Sequence, residues 1–162
     1  MNAALDQSHV RMIISSRLKF STEEKGVLLR FCILLGQLGP NIYRLYPEDE
    51  VPDEYTPGQE RRETGLYGPV GGAPRQVKLA LPTHFQAPYT LDRPREGRTE
   101  KLLFQSLLQL AAFLLCHEVG HRDAPINDDG RRKQYEQFCD ANALVLMRDF
   151  SDGAIPLPTR IK

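Results

Sequence analysis

The sequence predicts an α+β fold, and three observations carry that reading. Helical patterning dominates both ends, most of the proline lies between them, and two runs inside the proline-rich stretch alternate apolar and polar residues as strands do. Nine of the twelve prolines fall from Pro40 to Pro94, where each ring's fixed φ and missing N–H work against helix. At 162 residues the chain has the length of one core, so a single domain is expected over 1–162. Its parts are a helical segment 1–40, a strand and loop segment 41–96, a second helical segment 97–150 and a tail 151–162.

Taken in order, Ala4 to about Leu18 is weakly periodic and reads as a helix. A better-marked helix starts at Ser21-Thr22-Glu23-Glu24, a capping box in which the serine hydroxyl takes the amide three residues on and Glu24 reaches back. The run Val27, Leu28, Leu29, Phe31, Cys32, Ile33, Leu34 and Leu35 implies that this helix is largely buried, and Gly39-Pro40 ends it. Asn41 to Tyr46 and Gln76 to Leu81 alternate as strands, and Gly65 to Gly68 reads as a short third one, giving a small sheet. Between them, Pro47 to Glu63 carries seven acidic and two basic residues with three prolines and reads as a surface loop. From Thr99 the pattern turns helical, apolar on nearly every face from Leu102 to Leu115, which is the signature of a central helix running to about Arg122. A break at Ala124 to Gly130 precedes a last helix, about Arg131 to Arg148, and the tail with Pro156 and Pro158 cannot continue it.

Charge and cysteine usage narrow the function classes. Lys+Arg and Asp+Glu are equal at 21 each, so the surplus of positive charge that phosphate backbones select is missing and no nucleic-acid partner is expected. Cys32, Cys116 and Cys139 are an odd number without a CxxC spacing, which argues against a disulfide framework and for a reducing compartment. The N-terminus lacks a basic start followed by an apolar run, and the longest apolar stretch, Leu102 to Cys116, is interrupted and shorter than the ~20 residues of a membrane span. A cytoplasmic protein with no membrane partner is the expectation.

The chemistry sits at the end of the central helix, in His117-Glu118-Val119-Gly120-His121. In H-E-x-x-H the i, i+4 spacing brings two imidazoles to one helical face, where they can share a Zn²⁺, and the glutamate is placed to deprotonate a water on the metal. The plain alternative is a helix end with two surface histidines. Attachment to the most apolar helix weakens it, because unpaired polar groups are costly there. A catalytic zinc needs a third protein ligand, and the remaining histidines, His9 and His84, do not follow the motif at a ligand spacing. The last helix offers Glu136 and Asp140, two carboxylates one turn apart on one face. In a helix hairpin Glu136 can complete the ligand set, with Asp140 behind one imidazole, fixing its tautomer. Asp140, Asp123 and Asp128 are the other candidates for third ligand.

His117-Glu118-x-x-His121 followed by Glu136-x-x-x-Asp140 resembles the gluzincin metallopeptidases, most closely the ImmA/IrrE-like and minimal gluzincin proteins. The resemblance spans roughly Gly65 to Met147 and includes Asp140-Ala141-Asn142-Ala143-Leu144; it departs in the fourteen residues between His121 and Glu136 and in Cys139, where alanine is usual. It implies a zincin-like arrangement, with an edge strand packed on the H-E-x-x-H helix and the third-ligand helix C-terminal to it. It implies one zinc per chain and hydrolysis of a protein or peptide substrate, with Glu118 as general base. It also implies an extended substrate paired to an edge strand, the role assigned to Val77 to Leu81 with Val77 and Leu79 as binding residues. Tyr135, Tyr67, Tyr89 and His84 are candidates for an added oxyanion donor. The competing reading is a non-catalytic protein-binding module on the same fold, against which an intact Glu118 counts, because a structural zinc needs no general base.

Overall fold

The computed structural model describes residues 3–7, 10–38, 40–50, 65–68, 76–95, 98–120, 132–151 and 153–161. The chain is α+β, with two small sheets and three α-helices among these residues. It divides into two compact units, Met1–His84 and Phe85–Lys162.

The first unit opens with a hairpin, β1 (Ala3–Gln7) and β2 (Val10–Ile14), paired antiparallel. Helix α1 (Thr22–Leu35) then crosses to β3 (Ile42–Pro47), which lies parallel to β2. Strands β4 (Gly65–Gly68) and β5 (Gln76–Leu81) complete a five-stranded sheet in the order β1-β2-β3-β5-β4, with β3 and β5 parallel. The capping box is present as expected: Glu24 N–H donates to Ser21 Oγ at 3.0 Å and Ser21 N–H to Glu24 Oε1 at 2.9 Å. Only Leu28, Phe31, Cys32 and Leu35 of α1 are fully buried, a single stripe at i, i+3, i+4 and i+7. That stripe lies on the sheet face of Met12, Tyr43 and Val77, with Cys32 Sγ 3.9 Å from Met12 Sδ. The helix ends at Gly36, earlier than Gly39-Pro40, and a 3-10 turn Gly36–Leu38 follows. A Cβ at Gly36 would stand 2.9 Å from Val10 Cγ2, so the missing side chain lets the helix end approach β2.

Two expectations about this unit are overturned. Ala4 to about Leu18 is expected as helix, but Ala3–Gln7 and Val10–Ile14 are paired strands, because Val10 to Ile14 alternates in burial and its backbone groups are taken by β1 and β3. Strand β5 is no edge strand. It is paired on one side by β3 and on the other by β4, and Val77 and Leu79 are fully buried, so neither its backbone nor those side chains can receive an extended substrate.

The second unit holds a three-stranded antiparallel sheet in the order β6 (Tyr89–Arg95), β7 (Arg98–Phe104), β8 (Thr159–Ile161). Between β7 and β8 the chain forms α2 (Leu107–Gly120) and α3 (Arg132–Phe150). The segment Thr99 to Phe104, expected as helix, is strand; α2 begins only after Ser106, whose Oγ accepts from Gln109 N–H at 3.0 Å. The Gln109 side chain reaches back to accept from Gln105 N–H at 2.7 Å. Ser106-x-x-Gln109 is a capping pattern legible in the sequence, and it marks the true start. As its composition predicts, α2 is buried almost all round, from Leu110 to Val119 without interruption. No helix among the described residues is long and apolar enough to cross a membrane.

Candidate metal centre

The centre is built by α2 and α3, which pack on one another in the second unit. On α3, Cys139, Asp140, Ala143, Leu146 and Met147 are buried, one helical face. Asp140 is the one carboxylate on that face whose side chain is described, and it is 1% exposed. A carboxylate so enclosed needs a donor, and the ring of His117 on α2 provides it: Nδ1 stands 2.8 Å from Asp140 Oδ1. His117 and Glu118 are themselves only 4% and 6% exposed, so His117 is not a surface histidine. His117 Nε2 lies 4.0 Å from Glu118 Oε1. Phe113, one turn before His117, tilts its ring toward the imidazole at a centroid distance of 6.4 Å. Its i−4 spacing from His117 is the signal that could have singled it out.

This arrangement has a chemical consequence. A carboxylate accepts only, so the hydrogen bond puts the proton on Nδ1. In the neutral ring Nε2 then carries a lone pair, the form required of a metal ligand or a base. Cys116 and Cys139, which directly precede the two partners in sequence, are buried as small core residues.

The structure thus brings together three of the residues singled out by sequence: His117, Glu118 and Asp140. His121, Asp123 and Asp128 lie outside the described residues; Glu136 sits on α3 four residues before Asp140, with its side chain outside them. Among the described residues no group of three or more His, Cys, Asp or Glu side chains is arranged to hold a metal ion. Of the four oxyanion candidates, Tyr89 is in the same unit, on β6, stacked on Phe85 at 5.6 Å. Tyr67 and His84 belong to the first unit, and the Tyr135 side chain is outside the described residues. No protein-family model, no curated protein and no solved structure matches the chain.

Proposed function

We propose that the chain is a zinc-dependent metallopeptidase of gluzincin type, zincin-like in its α2–α3 unit, acting in the cytoplasm on a protein or peptide. The observation that carries this reading is the buried His117–Asp140 hydrogen bond beside Glu118. A histidine whose Nδ1–H is held by a carboxylate is a prepared metal ligand, and the donor chemistry of His117 therefore fits zinc. Sequence spacing supports the rest of the set, because His121 follows His117 by four residues and Glu136 precedes Asp140 by four.

When bound, zinc supplies Lewis acidity to a scissile carbonyl and to water. The chain's own residues do the remainder. Asp140 fixes the His117 tautomer and orientation, and Glu118 accepts the proton of the attacking water and returns it to the leaving amine. The enclosed apolar wall of α2 keeps the Glu118 carboxylate out of bulk water, which strengthens each polar interaction made there.

Metal analysis beside a cleavage screen of co-purifying proteins tests the proposal. Purified protein should hold about one zinc per chain. His117→Ala and Glu136→Ala should lose the metal, and Glu118→Gln should keep it while losing cleavage. Full zinc occupancy in Glu136→Ala would remove Glu136 from the ligand set. If wild type and Glu118→Gln both leave every protein intact while a partner still binds, the non-catalytic module is the correct reading.

A further inference from the structure

In a helix, a long side chain leans back toward the N-terminus and lies over the residue four before it. On α2 that rule sets the His117 ring over Phe113, and the two rings stand 6.4 Å apart between centroids with 31° between their planes. Phe113 is itself fully buried, and the ring of Phe104, the last residue of β7, stands 5.4 Å from it. Both distances fall in the range over which aromatic rings attract.

The hydrogen bond that His117 Nδ1–H donates to Asp140 Oδ1 at 2.8 Å fixes one atom of the imidazole. A single bond of that kind is a pivot, about which a flat ring can still tilt and carry Nε2 through an arc. A second contact on the ring removes that freedom, and the immobile side chain of Phe113 supplies it from the same helix. We propose that Phe113 is a positioning residue, setting the plane of the His117 ring so that the Nε2 lone pair points in one direction. A ligand or base already held in its direction gives up less entropy when its partner arrives. The consequence for metal binding rests on the zinc reading, whereas the constraint on the ring belongs to the metal-free chain.

Ring dynamics and metal binding of the full chain test the two separately, in wild type, Phe113→Leu and Met147→Ala. Met147 lies on the buried face of α3 two turns beyond Asp140, so its removal reports general loosening of that helix. With four histidines in the chain, carbon relaxation of the ring C–H groups is resolved residue by residue. In the metal-free wild type the His117 ring should be as ordered as the backbone around it. Phe113→Leu, which keeps an apolar side chain without the flat ring, should lower that order and weaken zinc affinity about tenfold by chelator competition. Met147→Ala should leave both readouts near their wild-type values. Should Phe113→Leu fail to fold, Phe113→Met and the wild-type ring order decide. A His117 ring already mobile in the wild type, unmoved by Phe113→Leu, or loosened as much by Met147→Ala would overturn the proposal. An ordered ring that Phe113→Leu loosens, in a chain that takes up no zinc, would uphold it and remove the zinc reading alone.

Discussion

Replacing Asp140 by alanine removes the acceptor that holds His117. The His117 Nδ1–H then faces a space that Asp140 had filled at 1% exposure, and little water can take its place. Loss of a hydrogen bond to a charged group, with the donor left buried, amounts to roughly 1.5–3 kcal/mol. Asp140 has further contacts, so the upper half of that range is expected for alanine. Asparagine keeps the shape and a carbonyl acceptor for Nδ1–H but not the charge, and should retain about half of the stability. Urea denaturation of the metal-free protein reads these differences directly. Zinc affinity, measured by competition with a chromogenic chelator, should fall about 10–100-fold in Asp140→Ala. Nitrogen shifts of the His117 ring should show Nδ1 protonated in the wild type. Unchanged stability and unchanged zinc affinity in Asp140→Ala, or a ring protonated only at Nε2, would refute the reasoning.

Two further outcomes concern the first unit. Gly36→Ala places a methyl 2.9 Å from Val10 Cγ2 and should destabilise by about 1–3 kcal/mol, with Val10→Ala in the same chain recovering part of the loss. A more stable Gly36→Ala, as helix propensity alone predicts, would show that Val10 yields freely. Asp49 is held below the usual carboxylate range, first by the hydrogen bond from Arg17 at 2.6 Å and then by the one from Thr83. Its folded pKa is lowered, so its contribution is present above the unfolded value of about 4 and is lost as pH falls through the folded one. The stability difference between wild type and Arg17→Met should therefore be small, sensitive to salt, and shrink between about pH 6 and pH 2; urea curves in which the gap widens in acid would contradict it.

What was legible in the sequence followed the range of the interactions involved. The α1 cap, the span of α3 and the runs of β3 and β5 depend on neighbours within a few residues, and the structure has them where pattern analysis puts them. The errors came where distant pairing decides. Leu102-Leu103-Phe104 is as compatible with buried helix as with strand, and β7 owes its form to β6 and β8. Likewise, nothing local to Gln76–Leu81 tells whether it lies at the edge of a sheet or inside it, and β4 is what encloses it. Of the candidate centre, one contact was legible. The His117–Asp140 contact needed only that α2 and α3 pack together.

Strand β8 gives the second unit a particular mode of failure. The segment carrying α2 and α3 leaves from β7 and returns to it, and the closing contact, Arg160 Nε to Glu100 Oε1 at 2.8 Å, joins residues 60 apart in sequence. Gln109 at the start of α2 adds a tie through its Nε2 to the Pro156 carbonyl at 2.9 Å. Such a loop is slow to close, because its entropy is surrendered before the pairing rewards it. Once closed, it makes the helix pair and the sheet open as one cooperative block. Amide exchange in α2 around His117 should accordingly keep step with exchange in β7, with no earlier opening of the helices alone.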